Sequence, residues 1–503
     1  MAALGIRRLN TISRRQIYLM ARRLFHRQLL GHLLRVIASL LFLSPNNLIL
    51  FVTLGIRCLS LFCPLSALRR RQGILQDVRF RPKTILVTGL DTPHGLHIAR
   101  CWYSEGHRVV GADIAEARFA SGGSLSRALV SHYRLSRSQY VSRLLDIVLR
   151  EKVDIWIPCA QDASVVDDGM AKQAIESRTN CRCLTLDPEL ASQWSQPESF
   201  VQYLIDHGHP VVENHEVHSR DSIHKILHRS PTKVYHLRKA TLTVKTTLAV
   251  NTEEIIVLPK RTLSSTYSEV SRIQVSKNSP WIMQQHVRLG EFIAEVLIIH
   301  GHVAVFVLRS TSRGSDWGSS RLNEGLAAAA HQVVDKFASE GGSRVTGHFL
   351  MRLVVDEQLH LNSIRYEVYI AGCTQGAAAI ADLLQDTPAR TLVDRYLAIL
   401  EDASTTSGNG FTRPEVRIRV LSRSSVYQAT TDYEARKALT AIYSIAKQIN
   451  WALDRAGKLM LFWANWRFSI VDPLPWWWHI HVYWPLTELD LMVGFSKRAL
   501  TST

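Results

Sequence analysis

Between Arg81 and Cys159 the apolar positions change period several times. The run "TILVTG" (Thr84–Gly89) is aliphatic and β-branched, the composition of a buried strand. "GLHIARCWYSEG" has helical spacing and stops on Gly106. "HRVVGAD" is a second strand ending at Asp113, "YVSRLLDIVLREK" an amphipathic helix, and "VDIWIPC" a third strand. Strand and helix in alternation predict a parallel, doubly wound sheet of the α/β class over residues 81-190. The pattern then changes. "PESFVQYLIDHG" is helical, while "KVYHLRKATLTVKTTLAV", "WIMQQHVRLGEFIAEVLIIHGHVAVFVL", "HFLMRLVV" and "LHLNSIRYEVYIAG" alternate as strands do. An α+β unit is expected over 191-395, followed by a helical extension over 396-503 that holds "DPLPWWWHIHVYWPL". His479 and His481 stand two apart there, on a possible strand, where they would share one face and could hold a metal. Trp476–Trp478, Tyr483 and Trp484 suit either a lipid interface or packing against the body.

The first 80 residues form a separate arm. Val36–Ile56 carries no charge and is long enough to cross a bilayer. Ser44-Pro45-Asn46-Asn47 interrupts its centre, which equally suits a hairpin that enters one leaflet and returns. Up to Arg71 there are twelve arginines and no lysine, aspartate or glutamate. Arginines on both flanks place both ends on the cytosolic side, so the expectation is a membrane-associated chain whose body faces the cytosol. A mitochondrial transit peptide is the rival reading of the same arm. Of the net charge of +17, only +5 remains after residue 71, which argues against nucleic acid as a partner. Seven cysteines without framework spacing read as reduced thiols.

The glycines of "TGLDTPHG", Gly89 and Gly95, follow the first strand, and Asp113 ends the second. That is the outline of a nicotinamide site. The Tyr235-His-Leu-Arg-Lys239 pair of a short-chain dehydrogenase is also present, but on strand-like sequence, whereas that pair needs a helix. The middle glycine is missing, with Pro93 nearby. A tight turn with a close helix–strand contact explains the glycines without a ligand.

The succession "RPKTILVTG…ARCWYSEGHRVVGAD", "LLDIVLREKVDIWIPC", "FVQYLIDHGHPVVENHEV", "SPWIMQQHV…GEFIAEVLIIHGHVAVFV", "RVTGHFLMRLVVDEQLHL" and "DPLPWWWHIHVYWPL" resembles the membrane-anchored ATP-grasp ligases. Within these it is similar to the mycosporine-glycine synthase-like proteins of natural-product clusters, from about residue 30 to the end. The resemblance implies a Rossmann-like pre-ATP-grasp domain that binds no dinucleotide, then ATP-grasp α+β subdomains. It implies ATP as cofactor and an ATP-dependent ligation of a small-molecule carboxylate to an amine in specialised metabolism. Arg238 falls on the phosphate-binding lysine, with Lys239 beside it. The adenine hinge falls on Gln284, Gln285 and Val287, and Glu291 on the ribose ligand. The metal motif departs from the family's. Arg352 stands where the family has aspartate, the run around Arg365 lacks the Glu-x-Asn-Pro-Arg pattern, and Gln196–Phe200 replaces Asp-Lys-x-x-Phe. Magnesium is therefore doubtful on this reading, with Glu367, Asp356 or Glu357 left to supply a displaced site. A catalytically degenerate ATP-grasp partner protein is the alternative, and a nicotinamide-dependent enzyme a third.

Overall fold

The structure, a computed structural model, describes residues 33, 35–59, 66–114, 119–161, 163–230, 233–239, 256–275, 281–287, 289–310, 324–360, 363–401, 415–419, 466–490 and 492. The chain divides into two units. The first is Met1–Cys183 with Thr387–Asp394 and Ser425–Thr503; the second is Leu184–Asp386 with Arg395–Ser424. The division thus falls at 183/184, and the C-terminal residues belong with the first unit.

The first unit is built on a parallel sheet of five strands: β1 (Thr84–Thr88), β2 (Arg108–Ile114), β3 (Ser131–Leu135), β4 (Ile155–Pro158) and β5 (Arg182–Cys183), in the order β3-β2-β1-β4-β5. Apolar runs form the central strands β1, β2 and β4, which are buried on both faces, whereas β3 and β5 are shorter in apolar residues and more exposed. Trp156, Val110 and Leu86 are fully buried, packed with Leu144 and Val148 from the helix Tyr140–Glu151. The turn after β1 behaves as a packing device. Gly89 has φ +77°, and a Cβ there would lie 2.4 Å from the Ala160 nitrogen. A Cβ on Gly95 would lie 2.2 Å from the Gly89 carbonyl oxygen. Thr92 caps the following helix, accepting from the Gly95 N–H at 3.1 Å, and Pro93 opens it.

At the N-terminus α1 (Arg35–Leu41) and α2 (Leu43–Leu59) meet at a bend of 51°. Among the described residues no single helix is long and apolar enough to cross a membrane, although this bent pair passes by length and composition. The helix α3 (Ser66–Gln76) follows. The C-terminal segment returns as the helix Leu474–Trp478, which runs into a π-helical turn, His479–Tyr483. The expected strand through His479 and His481 is therefore helical. Trp476 and Ile480, an i,i+4 pair, bury together against Ala38, Phe42 and Ile49. Among the described residues no group of three or more potential ligands gathers around either histidine to hold a metal.

The second unit carries two sheets. The smaller has the order β6-β9-β7-β8: β6 (Asn214–Val217), β7 (Tyr235–Lys239), β8 (Ile256–Leu258) and β9 (Trp281–Gln285). Its core is Val217, Ile223, Tyr235, Leu237, Leu258, Val270 and Met283. The larger has the order β13-β12-β10-β11-β14: β10 (Gly290–Ile299), β11 (His302–Ser310), β12 (Gly347–His360), β13 (Ser363–Gln375) and β14 (Glu415–Arg419). β14 is a strand inside the expected helical extension. An aromatic cluster anchors this sheet, with Trp194 4.9 Å from Phe337 and 5.7 Å from Phe349 between ring centroids. The stretch 240–255, which includes the end of the strand-like run 233–250, lies outside the described residues, as does 402–414.

Candidate nucleotide site

The face of the larger sheet near β9 collects polar side chains that register alone brings together. Glu291 on β10 pairs with Val354 on β12, and Val354 pairs with Tyr369 on β13. One rung further out Asp356 stands opposite Glu367. Side chains alternate along a strand, so Glu291, Asp356, Glu367 and Tyr369 share one face. The other face is apolar: Phe349, Met351, Leu353 and Val355 are buried. Like charges directly opposite each other on neighbouring strands are unfavourable unless something positive or a donor intervenes. Part of that is supplied by Tyr369, whose hydroxyl donates to Glu367 Oε2 at 2.9 Å. Burial, then the bond to Glu367, pushes the Tyr369 phenol up to about 12, so it stays a donor across the physiological range.

The same hydroxyl is hydrogen-bonded by Gln285, the last residue of β9. Gln285 is 6% exposed. Its backbone N–H donates to the Glu213 carbonyl at 2.9 Å, which fixes the strand end. Its side-chain Oε1 is buried and has no hydrogen-bond partner among the described residues. A buried acceptor left unmade costs about 1–3 kcal/mol, so the position is one that a ligand donor would relieve. The next residue, His286, packs its ring 4.2 Å from that of His236. Behind the strand end, Glu213 receives Lys233 Nζ and the Tyr235 hydroxyl, each at 2.7 Å. Burial pushes its carboxyl up, but the bonds from Lys233, Tyr235 and His215 outweigh this and hold it at about 2.

The residues expected from the sequence fall as follows. Gln284, Gln285 and Val287 lie at and just past the end of β9, and Glu291 is exposed at the start of β10. Arg238 and Lys239 close β7, opposite Ile282 and Trp281. Gln285 pairs with Tyr235, so the backbone of Arg238 is three residues away along the ladder, about 10 Å at the usual rise. Glu367 is the carboxylate held by Tyr369. Arg352 and Arg365 are both exposed, and the ladder puts them on either side of the Asp356/Glu367 pair. Arg352 lies over Gly372, where a Cβ would be 2.9 Å from its Nη2. Sequence reading missed Tyr369 and the Glu213 cluster. The Glu367-Val-Tyr369 spacing, i and i+2 on a strand, is the signal for the first; the second is built from three separate strands and loops.

Two carboxylates are a poor magnesium set by themselves, and among the described residues no three ligands gather. In the first unit Asp113 accepts from the Leu90 N–H, in the turn after β1, at 2.6 Å and lies 3.1 Å from His132 on β3.

No family model and no curated protein matches the chain. Solved structures show a distant likeness. The biotin carboxylase subunit of pyruvate carboxylase is 12% identical at a TM-score of 0.42, covering 66% of this chain and 72% of that one. L-amino acid ligase from Bacillus licheniformis is 15% identical at a TM-score of 0.40, covering 67% and 78%. The ADP complex of N5-carboxyaminoimidazole ribonucleotide synthetase is 14% identical at a TM-score of 0.34, covering 59% and 71%.

Proposed function

We propose that the second unit is an ATP-grasp nucleotide site and that the chain is an ATP-dependent carboxylate–amine ligase of specialised metabolism. The observation that carries the reading is Gln285, a buried side chain at a strand end whose acceptor has no partner among the described residues, beside Tyr369 and an acidic sheet face. The adenine amino group is the donor that fits it. Glu291 would take the ribose hydroxyls, and Arg238 and Lys239 at the end of β7 the phosphates. In such a ligase the γ-phosphoryl group passes to a substrate carboxylate oxygen, leaving ADP. The amine then attacks the acyl carbon, phosphate departs, and the amine loses a proton. The chain's own part is binding and orientation. Magnesium dependence is expected to be weak, because Asp356 and Glu367 are flanked by two fixed positive charges. Those same arginines support a second reading, a nucleotide-binding partner protein without turnover.

ATP is expected to raise the melting temperature of the full chain, and Gln285→Leu to abolish that rise while leaving the unliganded protein folded. A wild-type protein indifferent to ATP, with or without magnesium, sinks the reading. Ligase turnover measured as ADP release with mixed carboxylates and amines separates enzyme from partner. We propose also that the chain is held at a membrane through residues 36–56, its body facing the cytosol. That reading rests on the uncharged run with arginines on both flanks, and sedimentation of the full chain with membranes tests it.

A further inference from the structure

The apolar segment of the N-terminus is arranged inside out. On α1 and α2 the residues turned towards the protein include Ser39, Asn46 and Thr53, at 2%, 0% and 5% exposure. The residues turned outward are Leu40, Leu41, Leu48, Phe51 and Val52, at 65%, 73%, 66%, 70% and 53%. The inner side is fastened to the C-terminal segment by polar contacts. Ser39 donates to the Ile480 carbonyl at 2.8 Å, Asn46 Nδ2 lies 3.0 Å from His481 Nε2, and Trp477 Nε1 donates to Asn47 Oδ1 at 2.8 Å. An outward apolar face of this kind on a monomer calls for a cover. The sequence names the cover's charge, because the twelve arginines of an acid-free arm complement anionic headgroups.

The two ends of the segment decide how it meets that surface. At its start Arg35 pairs with Glu488 at 2.8 Å. Beyond its end, on α3, Arg70 pairs with Glu105 at 2.8 Å and the Arg71 guanidinium lies 3.8 Å over the Tyr103 ring. Glu105 closes the helix that follows β1, and all of these residues belong to the first unit. Six residues separate Leu59 from Ser66. Fully extended they reach about 20 Å, short of the ~30 Å hydrocarbon core. A helix that crossed the bilayer would leave Leu59 on the far side, and bringing Arg70 back to Glu105 would run a fully extended, unpaired backbone through the hydrocarbon, where it has no hydrogen-bond partners.

Resting on the membrane reading above, we propose that α1 and α2 enter a single leaflet and do not span. The bent pair, seated on the C-terminal helix and π-helical turn, is then a monotopic anchor, with its outward leucines and Phe51 among the acyl chains and both chain ends on the side of the body. The polar contacts of the seat come from residues 430 and 435 positions away in sequence, so α1 and α2 belong to the folded unit.

The test uses the full chain with one epitope tag at each end, bound from outside to sealed vesicles of phosphatidylcholine and phosphatidylserine. The expected result is that the protein pellets with the vesicles, external protease removes both tags, and a fluorophore on Leu48→Cys is quenched by shallow but not by mid-bilayer spin labels. The double change Leu48→Arg with Phe51→Arg is expected to lower the pelleted fraction about tenfold, because charge at these positions opposes insertion. If the wild-type chain pellets but one tag is protected, the segment spans and the topology is wrong while the membrane reading stands. If the wild-type chain stays in the supernatant, the membrane reading fails and this proposal with it. A chain that stays in the supernatant and sediments as a dimer that the double change dissociates identifies a second copy as the cover, which also overturns it.

Discussion

Glu213 shows how one side chain can govern a strand end. Its carboxylate holds Lys233, Tyr235 and His215, and with them the backbone bond that fixes Gln285. Its pKa lies below that of an unfolded glutamate, at about 2, so its contribution is fully present above the unfolded value of about 4.3 and is lost as pH falls towards 2. Because the side chain is 33% exposed, solvent screening trims the effect to about 1–2 kcal/mol. Glu213→Gln is therefore expected to lower the stability of the second unit at pH 7 and to match the wild type near pH 2, as read by urea unfolding at both pH values. Equal stabilities at pH 7 would show that the three bonds contribute nothing. The residue scale is also where the sequence was least informative. Gln285 and Glu291 were legible as positions through a resemblance, whereas the partner that gives Gln285 meaning, Tyr369, sits on another sheet and is brought to it only by the fold.

Elements with a clean period were readable. β1, β2 and β4 follow from aliphatic runs, and the helices Pro93–Ser104 and Tyr140–Glu151 from their spacing and a terminal glycine or lysine. The Tyr235–Lys239 segment is a strand, as its alternation required, which removes the dehydrogenase pair. "WWWHIHVYW" misleads because its aromatic and polar residues alternate. The helix wins there because Pro473 and Pro475 suit a helix start and because Trp476 and Ile480 need one face to bury. That element is also seated tightly, since a Cβ on Gly122 would lie 2.3 Å from the Pro475 carbonyl oxygen. Backbone gives way poorly, so Gly122→Ala is expected to cost about 1–3 kcal/mol. The measurement is calorimetry of the full chain. A fall in the first unit's melting temperature with the second unit's transition unmoved is the expected outcome, and an unchanged profile refutes the seating.

At the scale of the whole molecule the first unit is closed by residues from both ends of the chain. Asp472 accepts from Ser126 at 2.6 Å and pairs with Arg100 at 3.1 Å, while Arg467 pairs with Asp91 at 3.2 Å. Removing residues 466–503 deletes these pairs and the cover of Ala38, Phe42 and Ile49. The truncated chain is expected to lose the first unit's cooperative transition and to keep the second unit's response to ATP; retention of both transitions would contradict a closure that depends on the C-terminus. No local pattern announces such a closure, because its partners are set by tertiary contact alone. It has a consequence for synthesis. Asn46 leaves the ribosome 435 residues ahead of His481. At about 5–20 residues per second, its seat arrives roughly 20–90 s later. For that interval the leucines of α1 and α2 have neither their own protein nor a finished surface to lie on. During that time the exposed apolar face needs some other cover, a lipid surface or a chaperone, and on the proposed membrane reading α1 and α2 would meet the lipid before the C-terminal seat is made.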